Sequence, residues 1–137
     1  MDALTFLRER VALFAGISEE LLAALAEASA LNPYNKGQTI LFKGGTVDGL
    51  HVVAKGKVAL SSKPPNKPLI EIAELGSGEV FGETSIIEMG TSRATVKAIE
   101  DGTLVLMIPQ EAFRVLLKSS PDFVTRLLAL SAARRQA

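Results

Sequence analysis

The sequence predicts a mainly β protein, a β-barrel or jelly roll (a double-stranded β-helix) with two helices before it and two helices after it. Between residues 30 and 108, short apolar segments alternate with glycine-containing turn signals, which is typical of a barrel or jelly roll built from many short strands. On both sides of this region, apolar residues recur at helical spacing instead. The 137 residues, 47% of them hydrophobic, suffice for a single domain with its own core.

Residues 1–29 are predicted to form two helices. Apolar residues recur at helical spacing over residues 3–13, and Gly16 interrupts the pattern. Ser18 is a typical N-cap for the second helix, because its hydroxyl can accept a hydrogen bond from a free N–H of the first turn. The two glutamates that follow Ser18 place negative charge at the positive end of the helix dipole.

Six strands are predicted between residues 30 and 108. Each is a short apolar segment bounded by turn-forming residues. They are Thr39–Phe42, Leu50–Ala54, Lys57–Ser61, Leu69–Leu75, Ala94–Ile99 and Thr103–Ile108. Residues 61–68 contain three prolines and are expected to form an exposed hairpin loop, since proline cannot donate a hydrogen bond within a sheet.

Residues 109–137 are predicted to form two more helices. Pro109 suits the first turn of a helix, and an apolar stripe follows it. Ser120 and Pro121 begin the final helix, with Phe123, Leu127 and Leu130 along one side. The chain is therefore interpreted as one domain, residues 1–137, with N-terminal helices (1–29), a β region (30–108) and C-terminal helices (109–137).

Charge and composition exclude several kinds of partner and chemistry. Fifteen Lys and Arg residues balance fifteen Asp and Glu residues, so the chain lacks the basic surplus that binds nucleic acid. The absence of cysteine excludes disulfides, thiolate metal sites and cysteine nucleophiles. No apolar run has the length of a membrane span, and the charged N-terminal segment does not resemble a signal peptide. We therefore expect a cytoplasmic protein without membrane insertion.

The most informative segment is Phe81-Gly82-Glu83-Thr84-Ser85-Ile86, followed by Ser92-Arg93-Ala94-Thr95-Val96. Gly82 tolerates positive φ and a close approach of the backbone to a ligand. Glu83, when ionised, only accepts hydrogen bonds, which suits a ribose hydroxyl. A helix that begins near Thr84 offers free N–H groups to an anion, and an arginine adds a fork of donors. Together these groups can hold one phosphate and one ribose.

The order of elements and several glycine-rich patterns resemble the cyclic nucleotide-binding domain family. The patterns are Leu13-Phe14-Ala15-Gly16-Ile17, Lys43-Gly44-Gly45, Asp48-Gly49-Leu50-His51-Val52-Val53, Lys55-Gly56-Lys57-Val58 and Leu75-Gly76-Ser77-Gly78-Glu79-Val80-Phe81-Gly82-Glu83. The resemblance covers nearly the whole chain. It implies a cyclic-nucleotide ligand, held by a phosphate-binding cassette at about residues 81–96.

The resemblance also implies roles for individual residues. The residue at Gly82 lets the backbone approach the ligand, the residue at Glu83 accepts a hydrogen bond from the ribose 2′-hydroxyl, and an arginine neutralises the cyclic phosphate. The candidate ligand-binding residues are Phe81, Gly82, Glu83, Thr84, Ser85, Ser92, Arg93 and Ala94. Ile72, Val80 and the final helix are candidates to pack on the base.

The arginine departs from the family pattern by one residue. Ala94, Val96 and Ala98 keep the expected alternation, but Ser92 fills the arginine position and Arg93 follows it. Because side chains alternate across a strand, this shift places the arginine on the opposite face. Either an irregular strand start brings Arg93 back to the phosphate, which we favour, or Ser92 faces the pocket and the site has lost its charge partner.

Other functional classes are weaker. A metal enzyme in such a fold needs several converging histidines, whereas this chain has only His51, interpreted as a half-buried barrel residue. The Gly-x-Ser-x-Gly motif of serine hydrolases is absent. We therefore expect no enzymatic activity, no metal and no cofactor.

The sequence leaves two functional hypotheses. The first is a stand-alone sensor that binds cAMP in preference to cGMP, because Ala94 supplies no hydroxyl beside the arginine, and that signals to an unidentified protein effector. The alternative is a degenerate domain that binds no nucleotide and serves in docking or homodimerisation through its helices. The chain ends soon after the final helix, so we expect no DNA-reading helix-turn-helix.

Overall fold

The computed structural model describes residues 2–87 and 90–135. Its strands are β1 (Ala30–Tyr34), β2 (Thr39–Leu41), β3 (Gly49–Lys55), β4 (Val58–Ser62), β5 (Ile70–Leu75), β6 (Val80–Phe81), β7 (Thr95–Ala98) and β8 (Thr103–Pro109). Its helices are α1 (Ala3–Arg10), α2 (Glu19–Ala28), α3 (Thr84–Ile87), α4 (Arg114–Ser119) and α5 (Pro121–Arg135). Short 3-10 turns at Ala12–Phe14 and Gln110–Phe113 precede α2 and α4.

The strands form two antiparallel sheets rather than a closed barrel. The strand orders are β1-β8-β3-β6 in the first sheet and β2-β7-β4-β5 in the second. Among the described residues, no pair of named strands joins the two sheets. Most consecutive strands lie in opposite sheets, so the turns between them cross from one sheet to the other. The jelly-roll part of the prediction is confirmed, and the barrel part is wrong.

All six predicted strands are present, and each of their ends lies within one residue of its predicted position. The prediction missed β1 and β6. The strand β1 lies at a sheet edge, where Pro33 is tolerated, and its residues are exposed or half-buried, so it lacks an alternating pattern. The strand β6 has only two residues, too few for any periodicity.

The helices lie where the sequence predicts them. Ser18 caps α2 as expected, because its Oγ accepts a hydrogen bond from the Leu21 N–H. The first predicted helix is shorter than expected: α1 ends at Arg10, and residues 12–14 form the 3-10 turn. The N-terminal helices α1 and α2 and the C-terminal helices α4 and α5 pack next to each other beside the first sheet.

Two hydrophobic cores hold these layers together. One joins the helices to the first sheet and contains the rings of Phe14, Phe113 and Phe123, whose centroids lie 5.9–6.2 Å apart. The other lies between the sheets and includes Phe81 and Val96. The helices proposed for homodimerisation bury several apolar side chains within the chain itself, among them Leu7, Val11 and Leu127.

Arg126 fixes α5 to the N-terminal part of the chain. Its Nε donates to the Leu13 carbonyl oxygen over 3.0 Å, and its Nη2 donates to the Ala15 carbonyl oxygen over 2.6 Å. These bonds position the last turns of α5 against the open side of the second sheet, where the candidate site lies.

Candidate functional site

A cavity of about 190 Å³ lies between the second sheet, the segment that joins β6 to α3, and the end of α5. Seven of the eight residues proposed to bind ligand line it: Phe81, Gly82, Glu83, Thr84, Ser92, Arg93 and Ala94. For the eighth, Ser85, the backbone lies in α3, and its side chain is outside the described part of the structure. The fold therefore brings together residues that are 13 positions apart in sequence at their extremes.

The two proposed base contacts differ in position. Ile72 lines the cavity from β5. Val80 is buried on the other side of β6, where it borders a second cavity of about 280 Å³ together with Leu13 and Arg126. Neighbouring residues of a strand face opposite sides, so Phe81 and Val80 cannot both line one cavity. Val80 is not brought to the site.

Gly82 occupies a place that strongly favours glycine. Its φ is +75°, a left-handed conformation that other residues adopt at a cost. A Cβ at this position would lie 3.1 Å from the Gly49 carbonyl oxygen, 3.1 Å from Val47 Cγ1 and 3.2 Å from His51 Nδ1. The backbone of the cassette is thus pressed against β3 and the turn before it, which leaves its other side to the cavity.

Glu83 follows Gly82 and is only 5% exposed. Its carbonyl oxygen accepts a hydrogen bond from the Ile86 N–H over 3.2 Å, at the start of α3. The helix begins at Thr84, as the sequence predicts. A carboxylate buried to this extent in a cavity wall is a strong acceptor for a ligand hydroxyl, since few waters compete for it.

Residues 92–94 form an irregular segment before β7, which begins only at Thr95. Two backbone hydrogen bonds of 2.8 Å join Ser92 to Gly44 and Gly45. Ser92 is buried, and its Oγ donates to the Ala94 carbonyl oxygen over 2.6 Å. Arg93 is exposed but still contributes to the cavity lining. The structure thus combines an inward-facing Ser92 with the irregular strand start that brings Arg93 to the cavity.

The sequence analysis expected the final helix to pack on the base but did not identify the residues of α5 that line the cavity. Ser131 and Ala133 line the cavity, and Ser131 is 2% exposed. The residues Phe123 and Leu127 instead lie in the helical core. Ser131 continues their stripe at four-residue spacing, so a polar residue on an otherwise apolar helix face is the signal that would have identified it.

His51 lies behind the cavity wall in β3 and is buried rather than half-buried. Burial lowers its pKa from 6.5 to about 4, because the apolar surroundings disfavour the charged imidazolium. Within the described residues, no group of three or more His, Cys, Asp or Glu side chains has the arrangement of a metal site. A search of the described helices found none with the length and apolar character of a membrane span.

The sequence matches a family model and several known proteins. A family model described as "Cyclic nucleotide-binding domain" matches residues 31–120. The chain is 32% identical over 122 residues to the cyclic AMP receptor protein of Thermus thermophilus, covering 89% of this chain and 56% of that protein. It is 30% identical over 118 residues to cGMP-dependent protein kinase, isozyme 1, of Drosophila melanogaster, covering 85% of this chain and 15% of the kinase.

A solved structure gives the same result. The crystal structure of the catabolite activator protein of Thermus thermophilus superposes with a TM-score of 0.77 at 31% identity, covering 90% of this chain and 58% of that one. The chain therefore spans between about one seventh and somewhat over half of the length of these relatives.

Proposed function

Because this chain belongs to the cyclic nucleotide-binding domain family, we propose that it is a cytosolic regulatory sensor that binds cAMP in the cavity between the second sheet and α5. The observation that carries the proposal is the convergence of Gly82, buried Glu83 and Arg93 on one cavity. A cavity lined by apolar side chains with a few convergent polar groups is the usual form of a small-molecule site. The proposed activity is binding, without catalysis.

In the proposed complex, Glu83 accepts a hydrogen bond from the ribose 2′-hydroxyl and Arg93 pairs with the cyclic phosphate. Ser92 is a poor substitute for the arginine, because its hydroxyl proton is already donated to the Ala94 carbonyl oxygen. A hydroxyl has one proton to donate, so only acceptor lone pairs remain, and a phosphate oxygen is itself an acceptor. Arg93 is the cation that lines the cavity among the described residues.

Preference for cAMP over cGMP follows from Ala94 in this proposal. In the family, a hydroxyl beside the arginine often favours the guanine ring, and Ala94 offers none. The two curated relatives carry cyclic AMP and cGMP in their names, so both nucleotides belong in the test.

Signalling would pass through α5. The cavity of about 190 Å³ is smaller than the 300–1,000 Å³ of typical ligand pockets, and Ser131 and Ala133 of α5 form part of its wall. In this proposal, α5 shifts outward or repacks over the base when a nucleotide binds. Such a change alters the population of α5 positions, which a protein effector can read.

The alternative is a degenerate domain that binds no nucleotide and acts in protein docking. One observation favours it: Ser92, not an arginine, is the buried residue at the expected position, and Arg93 is exposed. A charge-assisted hydrogen bond contributes about 1.5–3 kcal/mol, so an arginine that turns away costs at least about tenfold in affinity.

Isothermal titration of protein that has been unfolded and refolded to remove carried-over ligand tests the proposal. We expect saturable binding of cAMP at one site per chain, weaker binding of cGMP and no comparable binding of 5′-AMP, which lacks the cyclic phosphate. Absence of heat with both cyclic nucleotides, together with an unchanged melting temperature, would favour the docking alternative.

A further inference from the structure

Two buried side-chain polar atoms lack a hydrogen-bond partner among the described residues, Ser131 Oγ and His51 Nδ1. Leaving a buried polar atom unpaired costs stability, so such atoms are rare and call for an explanation. Both lie at the candidate site. Ser131 Oγ belongs to the cavity wall itself, whereas His51 lies one layer behind it and has no place in the function described so far.

His51 is in direct contact with the cassette. In the sheet it pairs with Phe81 across the β3–β6 ladder. The two rings stack with centroids 4.9 Å apart and an angle of 18° between their planes. Since Phe81 lines the cavity, the imidazole supports the cavity wall from behind.

The unpaired nitrogen of His51 points to the next residue of the cassette. Nδ1 lies 3.2 Å from the position that a Cβ of Gly82 would occupy. The imidazole is buried and neutral at physiological pH, and a hydrogen bond with the Gly49 backbone engages the ring. Nδ1 has no partner, so it is the nitrogen left to accept a hydrogen bond. An acceptor thus faces a stretch of backbone whose other side faces the cavity.

We propose that His51 is a positioning residue of the nucleotide site, whose Nδ1 accepts a hydrogen bond from a backbone N–H of residues 81–84 when nucleotide binds. This inference rests on the proposed function. It explains why a histidine stands at a buried position where an apolar ring would be more stable. The unpaired Nδ1 gains a hydrogen bond in the nucleotide-bound state, which favours that state. The stacked ring affects the stability of the fold, whereas the hydrogen bond affects nucleotide affinity, so two substitutions of His51 can distinguish them.

The first substitution, His51→Phe, keeps a ring against Phe81 and removes the acceptor. We expect a melting temperature equal to or above that of the wild type and cAMP affinity weaker by about three- to tenfold, the equivalent of one ordinary hydrogen bond. The second, His51→Asn, places an amide oxygen near the position of Nδ1 but loses the stack. It should lower the melting temperature and keep cAMP affinity within about twofold of wild type.

Thr103→Val is the matched control, because Thr103 is fully buried, lies outside the cavity wall and is hydrogen-bonded to the Glu100 carbonyl oxygen. It should lower the melting temperature without changing cAMP affinity. The chain has a single histidine, so its imidazole nitrogen resonances can be followed without ambiguity in a ¹⁵N NMR titration with cAMP. We expect Nδ1 to be unprotonated throughout and to shift toward the resonance of a hydrogen-bonded acceptor on saturation.

The outcomes separate this inference from the proposed function. Wild-type protein that binds neither cAMP nor cGMP overturns both. Wild-type binding with equal affinity in His51→Phe, or an Nδ1 resonance that is protonated or unmoved by saturating cAMP, overturns the role of His51 alone.

Discussion

The Ser92 hydroxyl donates to the Ala94 carbonyl oxygen across Arg93, over 2.6 Å. This bond closes a tight bend just before β7 and draws the side chains of Ser92 and Ala94 inward, where both are buried. Arg93 lies at the apex of the bend and meets the cavity from its exposed edge. An arginine in this position can reach a ligand without the cost of burying its charge beforehand.

Arg93→Ala should raise the Kd for cAMP at least tenfold, because a charge-assisted pair with the cyclic phosphate is worth about 1.5–3 kcal/mol. The melting temperature should stay close to that of the wild type, since the side chain is exposed. Arg93→Lys should recover part of the loss, as it keeps the charge but not the bidentate fork. Titration calorimetry and thermal unfolding give both quantities; an unchanged Kd in Arg93→Ala would remove this residue from the site.

Glu83 should discriminate between ribose and deoxyribose. Wild-type protein is expected to bind cAMP roughly tenfold or more tightly than 2′-deoxy-cAMP, because the deoxy compound leaves the buried carboxylate without its hydroxyl partner. In Glu83→Gln this preference should shrink to about twofold, since the charged acceptor has become neutral. Competition titrations of both nucleotides against both proteins measure the coupling. A preference that is equal in the two proteins would place the 2′-hydroxyl elsewhere.

Acid should destabilise the wild-type fold through His51. The pKa of His51 is lowered from 6.5 to about 4 by burial, so between these values the unfolded chain binds a proton that the folded chain does not. The free energy of unfolding is therefore unaffected by this group above about pH 6.5. It decreases by on the order of 3 kcal/mol as the pH falls toward 4.

His51→Phe is the control for this pH dependence, because phenylalanine does not titrate while the carboxylates of the two proteins are the same. The difference in unfolding free energy between the two proteins, from urea unfolding at several pH values, should change in favour of the variant as the pH falls. A difference that stays constant between pH 7 and pH 4 would mean that His51 takes up a proton equally in the folded and unfolded states.

Ser131→Leu should block the site without harming the fold. The Ser131 side chain faces the cavity and its Oγ has no partner in the described structure, so a larger apolar side chain can fill the space without breaking a hydrogen bond. We expect cAMP binding to be lost and the melting temperature to be maintained or raised. Ala132→Leu is the matched control on the exposed face of the same helix and should leave binding intact. Full cAMP affinity in Ser131→Leu would show that the nucleotide does not occupy this cavity.

The sequence predicted the fold well where the signal is local. Ser18 at the start of α2, and the turns that bound the predicted strands, depend on residues close in sequence, and the structure has them as expected. The sequence did not decide between a barrel and a jelly roll, because strand periodicity shows which face of a strand is buried but not whether the outer strands of two sheets meet. The two-residue strand β6 lies below the length at which periodicity has any meaning.

The candidate site also combines residues that a local pattern identifies with residues that only long-range packing brings there. The cassette residues are neighbours in sequence, so a pattern could identify them together. Ser131 reaches the cavity because α5 is held by long-range contacts, among them the bonds from Arg126 to Leu13 and Ala15, more than 100 residues away in sequence. No local pattern contains that contact. Val80 was a candidate to pack on the base, but it borders the second cavity instead.

Gly82→Ala tests whether the cassette backbone needs its close contact with β3. Two effects add at this position. The first is the left-handed backbone, which costs about 1–2 kcal/mol for a residue with a Cβ. The second is the crowding of that Cβ by the Gly49 carbonyl oxygen at 3.1 Å, which we expect to push the cassette backbone toward the cavity.

Gly102→Ala isolates the first effect, because Gly102 has a similar φ of +71° and a Cβ there would have no atom within 4 Å. Both variants should therefore lose about 1–2 kcal/mol of unfolding free energy from backbone strain, with a further loss in Gly82→Ala. Only Gly82→Ala should also weaken cAMP binding, by tenfold or more, since a shift of the cassette displaces Glu83 and the start of α3 together. Urea unfolding and calorimetric titration of the two variants separate strain from crowding. Equal cAMP affinity in both would mean that the contact between Gly82 and β3 serves the fold alone.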